Sequence, residues 1–322
     1  MIEEAVKNFP KQFAWEPELQ NAENLGLKNI LVVAGMGGSH LAADIFQMWQ
    51  SSSDIIVHSD YELSGIPESV LQNSMVVAVS YSGNTEEAIS AFGASLKKGI
   101  PVAVIAKGGK LLELARKERI PYVQIPDTGV QSRAALGFLL LALLKVAGRE
   151  DLLKEAQHLQ NSLYPEVFKE QGEEIAKELS ERIPVIYASR ARYHLAYIWK
   201  VKLNEGAKIP AFCSVLPEAN HNEMNGFDVV ENTRELSGKF YPVFLLDEQD
   251  DPRVQKRMAM TKKMYEKEGL SCLEIPVQKG SFLQRVFSSV LLADWVAFYL
   301  AQYYGTDPEQ VPMVEEFKKL IA

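Results

Sequence analysis

The sequence predicts an α/β protein of two successive doubly wound lobes, each a parallel sheet flanked by helices, with a C-terminal helix behind the second. Three observations carry this prediction. Short β-rich runs alternate with helical stretches along the chain. The apolar runs are continuous, not alternating, as strands covered by helices on both faces must be. The alternation also stops in a polar helical stretch and then restarts, and two strand–helix halves of similar size imply two lobes.

In order, an opening helix precedes a strand at Leu31–Ala34, a glycine loop and a helix at His40–Trp49. Strands follow at Asp54–Val57, Met75–Val79, Val102–Ile105 and Tyr122–Ile125. Helices between them are expected at Pro67–Gln72, Glu86–Leu96 and Lys110–Lys117. Ser132 is read as the cap of an apolar helix that runs to Val146. Gly148–Asp151 breaks it, and a polar amphipathic stretch continues to Ser180. The second half then gives strands at Pro184–Ala188, Ala211–Val215, Tyr241–Leu246 and Cys272–Val277. Its helices fall at Tyr193–Asn204, Asp251–Glu268, Ser281–Tyr304 and Pro312–Ile321. The boundary is placed near residue 155, giving lobes 1–155 and 156–322. No sequence period links the halves, so any repeat is architectural.

Composition narrows the class. The 322 residues are 47% hydrophobic and 24% charged, with a net charge of −8. No uninterrupted apolar run reaches the ~18 residues of a membrane span, and the acidic N-terminus lacks the order of a signal peptide. Two cysteines, Cys213 and Cys272, make no disulfide framework and suit a reducing, cytoplasmic setting. Without a basic stripe the chain is not read as a nucleic-acid protein. A small-molecule ligand is the remaining expectation.

Ligands of open α/β sheets bind beyond the carboxyl ends of the strands. Two loops lie there: Gly35-Met36-Gly37-Gly38-Ser39 and Ser80-Tyr81-Ser82-Gly83-Asn84-Thr85. Glycines admit a ligand to the backbone, and the following helix points N–H groups at an anion. Ser39, Ser80, Ser82 and Thr85 add neutral donors, and neither loop holds Lys or Arg. That chemistry suits a phosphate monoester. A dinucleotide fingerprint starting at Gly35 needs Gly or Ala where the chain has His40. Asp60 does stand near the place of a ribose-binding acid, so that reading is weakened and stays open. The triphosphate loop, GxxxxGK followed by Ser or Thr, is absent.

The second half carries the reactive groups. Glu205 sits in Asn204-Glu205-Gly206 at a helix end, where the dipole favours a raised carboxylate pKa; a solvated helix-end glutamate reads the same way. His221 lies in a polar segment, Glu218-Ala219-Asn220-His221-Asn222-Glu223, and is either a proton shuttle or a bystander. His58, His158 and His194 read as structural. The histidines are scattered, so no metal site is predicted, and the downstream PCxxC of a zinc deaminase is missing. Cys213 and Cys272 sit in apolar or strand contexts unlike those of a nucleophile. Arg133 is a cation at a strand–helix junction, on the surface or facing the ligand.

Together, Gly37-Gly38-Ser39, the run SYSGNT from Ser80 to Thr85, Gln131-Ser132-Arg133, Asn204-Glu205-Gly206 and the Asn-His-Asn-Glu segment resemble the sugar-isomerase (SIS) domain family. They are most similar to its bifunctional phosphoglucose/phosphomannose isomerase branch, and the likeness covers nearly the whole chain. The first two segments imply a phosphosugar domain; the last two select the isomerase. The resemblance implies a metal-independent aldose–ketose isomerase that interconverts glucose 6-phosphate, and mannose 6-phosphate, with fructose 6-phosphate through a cis-enediolate. Gly37, Gly38, Ser39, Ser80, Ser82 and Thr85 would hold the phosphate. Glu205 would be the base, His221 of a partner subunit would open the ring, Arg133 would steady the enediolate, and Lys318, in preference to Lys319, would join the site. The implied assembly is a homodimer without cofactor. The alternatives are an isomerase for one epimer or another phosphosugar, and a non-catalytic phosphosugar-binding protein.

Overall fold

Residues 2–51 and 54–321 are described by the computed structural model; Met1, Ser52, Ser53 and Ala322 lie outside it. Helix α1 (Ile2–Lys7) opens the chain. Asn8–Leu163 form the first lobe, and the residues from Tyr164 onward, joined by those up to Lys7, form the second.

In the first lobe, β1 (Leu19–Gln20), β2 (Ile30–Ala34), β3 (Ile55–His58), β4 (Ser74–Ser80), β5 (Val102–Ala106) and β6 (Tyr122–Gln124) form one sheet in the order β1-β6-β5-β4-β2-β3. All neighbours run parallel except β1, an antiparallel edge strand on β6 that the sequence reading does not contain. Two residues are too short to show a periodicity. Every residue of β4 and β5 is buried, as a doubly covered parallel sheet requires. Around the sheet lie α2 (Leu41–Trp49), α3 (Glu68–Leu71), α4 (Glu86–Lys98), α5 (Gly109–Lys117), α6 (Leu136–Val146) and α7 (Glu150–Gln157). Helix α4 has Glu86 and Glu87 in its first turn, Lys97 and Lys98 in its last, and Gly99 at φ +67° as its left-handed stop, which match the helix dipole at both ends and the usual C-terminal cap.

Ser132 departs from its expected role as a cap. It opens a 3₁₀ turn, Ser132–Ala134, and α6 begins beyond it without a side-chain cap of its own. The free N–H groups of that helix are met from far away: Gly137 N and Phe138 N donate to Gln12 Oε1 at 3.0 and 3.3 Å, while Gln12 Nε2 donates to the Ala134 carbonyl at 2.6 Å. A helix start must satisfy those donors, and any acceptor brought there serves.

The second lobe repeats the plan. Strands β7 (Ile183–Ser189), β8 (Phe212–Leu216), β9 (Phe240–Leu246) and β10 (Leu273–Pro276) form an all-parallel sheet in the order β10-β9-β7-β8. Its helices are α8 (Lys169–Leu179), α9 (Tyr193–Lys202), α10 (Arg234–Ser237), α11 (Pro252–Lys267), α12 (Phe282–Tyr304) and α13 (Pro312–Ile321). Counted within each lobe, the parallel strands run 2-1-3-4, extended to 2-1-3-4-5 in the first, so the repeat is indeed architectural. α12 starts with a full capping box between Ser281 and Gln284. Among the described residues it is the helix long and apolar enough to cross a membrane, yet 72% of its most apolar stretch is buried inside the lobe, the position of a core helix.

Candidate active site

The switch point of a 2-1-3-4-5 sheet lies between its first and third strands, where neighbouring crossovers leave in opposite directions and open a crevice. In the first lobe those strands are β2 and β4, and the two glycine–hydroxyl loops are the segments that leave their carboxyl ends. Ser39 Oγ accepts from Tyr81 N at 3.1 Å, tying the loops together. Ser80 Oγ accepts from Gly83 N at 3.0 Å and Thr85 N at 3.3 Å and lies 2.8 Å from Thr85 Oγ1. Ser39 and Ser80 are buried beneath the turn, whereas Gly37 and Ser82 are exposed and Thr85 is half-exposed at the start of α4. The four residues therefore divide: Ser39 and Ser80 are buried and organise the loops, while Ser82 and Thr85 reach the surface, Thr85 with its hydroxyl paired to that of Ser80.

Glycine is required at particular points of this cradle. Gly83 has φ +76°, and a Cβ there would stand 1.7 Å from the Gly108 carbonyl oxygen. A Cβ on Gly38 would stand 2.7 Å from Ser132 Oγ and 2.8 Å from Arg133 N. The turn carrying Arg133 is thus packed against the first loop, and Arg133 itself is buried. The structure brings Gly37, Gly38, Ser39, Ser80, Ser82, Thr85 and Arg133 to one edge of one sheet. Gly108-Gly109, which pack against Gly83 beyond β5, are absent from the sequence reading; a glycine pair one residue past a strand was their signal.

The equivalent place in the second lobe, between β7 and β9, is closed by the protein's own charges. Asp247, just beyond β9, accepts from Arg192 Nε at 2.6 Å and from Arg285 at 2.5 Å. Ser189 at the end of β7 donates to Asp250 at 2.6 Å. Asp247, Asp250, Arg285 and Ser189 are all buried. Burial pushes the Asp247 carboxyl upward, but the Arg192 bond, the Gln249 N–H and the charges of Arg192 and Arg285 outweigh it and hold the pKa below the usual value. Asp250 is raised, chiefly by burial.

Glu205 lies on a π-helical turn, Leu203–Ala207, that ends α9. Such turns widen the helix by one residue and re-aim a side chain, and they collect at functional sites. The turn is fastened on all sides. Lys202, one helical turn earlier, is buried and ion-paired to Asp294 of α12 at 2.7 Å. Gly206 lies close enough to α12 that a Cβ would meet Ala297 at 3.0 Å. Asn204 Oδ1 accepts from Ala211 N at 2.9 Å, and Lys208 Nζ donates to the Glu205 carbonyl. The sequence suggested a plain helix end; neither the π turn nor its anchoring to α12 leaves a mark in the local letters.

His221 ends a 3₁₀ turn, Glu218–His221, and is exposed. In chain order Glu205 lies before β8 and His221 after it. Lys318 lies on α13, paired with Glu315 at 2.8 Å; Lys319 is its exposed neighbour.

Against known proteins, residues 168–321 match a family described as the bacterial phospho-glucose isomerase C-terminal SIS domain. The chain is 35% identical to the bifunctional phosphoglucose/phosphomannose isomerase of Aquifex aeolicus across 99% of its own length and 97% of that protein's. The chain belongs to the bifunctional phosphoglucose/phosphomannose isomerase family. A further phosphoglucose/phosphomannose isomerase, from Thermoplasma acidophilum, is 35% identical over 91% of this chain and 89% of that one. Among solved structures, the glucosamine-6-phosphate deaminase of Thermotoga maritima aligns with a TM-score of 0.69 over 97% of this chain and 96% of that one. Its 16% identity speaks for the shared fold alone. The match to the Aquifex aeolicus protein spans both lobes, so the two glycine–hydroxyl loops and the Glu205 turn lie inside one matched sequence.

Proposed function

We propose that this chain is an aldose–ketose isomerase interconverting glucose 6-phosphate and mannose 6-phosphate with fructose 6-phosphate. The observation that carries the reading is the full-length match to bifunctional isomerases. The cradle at the β2/β4 switch point supports it, being built for a phosphate monoester. Gly37, Gly38, Ser82 and Thr85 meet the 6-phosphate with backbone N–H and hydroxyl donors, and Ser39 and Ser80 hold those loops in shape. Glu205 removes the proton from C2 of the open-chain aldose and returns it to C1. The negative charge spreads over the two oxygens of a cis-enediolate, and Arg133 stabilises it. The enediolate is planar at C2, so reprotonation on either face leads to the glucose or the mannose epimer. The proton transfer calls on no redox carrier, and we propose that it runs without a metal.

The active form is proposed to be a homodimer in which His221 opens the hexose ring in the partner's site and Lys318 contributes from α13. One observation supports it. Helix α13 buries none of its residues, leaving Met313, Phe317 and Leu320 at 59–83% exposure, an apolar stripe that a second copy would cover. We place the enzyme in the cytoplasm, where phosphorylated hexoses are held and the free thiols of Cys213 and Cys272 stay reduced.

The direct test is turnover of glucose 6-phosphate and, separately, of mannose 6-phosphate, with a chelator present. Fructose 6-phosphate from both substrates is expected; inhibition by the chelator would overturn the metal-free mechanism, and silence on both sugars the whole reading. For the cradle, Ser82→Ala combined with Thr85→Ala is expected to raise KM about tenfold or more with little change in kcat, since each lost bond to a charged group is worth roughly 1.5–3 kcal/mol. An unchanged KM would move the phosphate elsewhere.

A further inference from the structure

The turn bearing His221 is fastened to the body of its lobe on both flanks. On one side, Asn220 Nδ2 donates to Thr261 Oγ1 of α11 at 2.7 Å, and Arg257 of the same helix donates to Asn220 Oδ1 at 3.3 Å. On the other, Tyr187 donates its hydroxyl to Glu223 Oε1 at 2.5 Å. Tyr187 stands in the middle of β7 and is fully buried, its ring stacked on Phe244 at 5.1 Å. The hydroxyl of Tyr265 lies 3.3 Å away, and Phe227, at the end of the turn that Glu223 begins, packs on the Tyr265 ring at 5.0 Å. Within the turn, Asn222 Oδ1 accepts from Glu223 N at 2.5 Å and Asn222 Nδ2 donates to Glu218 at 2.8 Å.

A core position stacked between aromatic rings is served by Phe as well as by Tyr. The hydroxyl adds a buried polar group that has to find a partner, and here it finds a carboxylate two residues from His221. Burial above all, then the Tyr265 and Glu223 groups, pushes the Tyr187 phenol far above its usual range, so it remains a donor. We propose that Tyr187, acting through Glu223, is a positioning residue that holds the His221 turn in the geometry needed for ring opening. The inference rests on the proposed role of His221. Its cost in rate follows from geometry, since a displacement of about 1 Å in a reacting group can lower a rate roughly 100-fold.

The test is a set of variants assayed on ring-closed glucose 6-phosphate: Tyr187→Phe, Glu223→Ala, Glu223→Gln, His221→Ala, and Tyr187→Phe with His221→Ala. Tyr187→Phe and Glu223→Ala are expected to lower kcat about tenfold or more with KM unchanged and thermal midpoints showing a folded protein. The amide oxygen of Glu223→Gln still accepts from the phenol, so that variant recovers most of the rate lost in Glu223→Ala. Combined with His221→Ala, Tyr187→Phe adds nothing further, because the residue it positions is gone. Full activity of Tyr187→Phe beside an impaired His221→Ala overturns the positioning role alone, as does a multiplicative loss in the double variant. Full activity of His221→Ala overturns the role assigned to the histidine and the positioning with it.

Discussion

Glu205→Gln is expected to lower kcat for both aldose phosphates by about 10³-fold, within the range that a positioned general base contributes, while substrate affinity is retained. The change keeps the volume and shape of the side chain while replacing the carboxylate by a neutral amide that cannot take the proton. The turn that carries it is held by the Lys202–Asp294 pair, the Asn204 bond to Ala211 and the packing on α12, none of which uses the Glu205 carboxylate. Two readouts separate chemistry from binding. Deuterium from the solvent, expected to enter C1 of fructose 6-phosphate with the native enzyme, is expected not to enter the sugar with the variant. Thermal stabilisation by the sugar phosphate is expected to persist, at roughly 2.7 kcal/mol for a ligand at a hundred times its Kd. A kcat within tenfold of the native value would remove Glu205 from the role of base.

Asp247→Ala is the substitution with the largest expected effect on stability. It leaves Arg285 buried and Arg192 nearly so, both deprived of the carboxylate they share, and breaking a buried pair in this way costs about 3–5 kcal/mol. The thermal midpoint is expected to fall by roughly 10 °C, at about 2–4 °C per kcal/mol for a domain of this size. Glu248→Ala is the control: its 3.5 Å pair with Lys279 is exposed on both sides, and such pairs contribute little. Acid sensitivity follows with a definite sign. The folded pKa of Asp247 lies below its ordinary value, so its contribution is complete above the unfolded pKa, about 3.9, and is lost as pH falls through the lower folded value. Asp250, raised by burial, works in the opposite direction: its charged form is disfavoured in the fold, and that cost is relieved as pH falls. Removal of Asp247 is therefore expected to flatten the loss of stability below about pH 4; an unchanged acid profile and a midpoint within 2 °C of native would show the cluster to be energetically idle.

These two predictions differ in how visible their residues were. Glu205 could be named as a candidate because Asn204-Glu205-Gly206 is a contiguous triplet on which a family resemblance can rest; spacing alone left it a helix-end glutamate. The Asp247 cluster joins residues from β7's exit, β9's exit and the first turn of α12, with Arg192 and Asp247 55 positions apart in the chain and Asp247 and Arg285 38 apart. No local pattern links such positions. Gln12 is a similar case: it caps α6 from about 125 residues away, and the sequence offered Ser132 for that task because capping signals are read locally. The same limit applies to Tyr187, which looks like any aromatic residue in a buried strand until Glu223 is placed beside it.

By itself the sequence determined the α/β class, the order of the parallel strands, and the contiguous segments from which a candidate site could be named. Each is encoded in spacing: continuous apolar runs for doubly covered strands, glycines where φ is positive, hydroxyls on a strand-to-helix loop. Only the tertiary structure decided that the first lobe keeps an open cradle while the second closes its equivalent with arginine–aspartate pairs. It also decided that two of the four loop hydroxyls lie beneath the turn, and that Glu205 rides on a π turn fastened to α12. The physical reason is common to all three. Burial and hydrogen-bond pairing are properties of what the fold brings together from distant segments, and a residue's own neighbours in the chain carry no record of them.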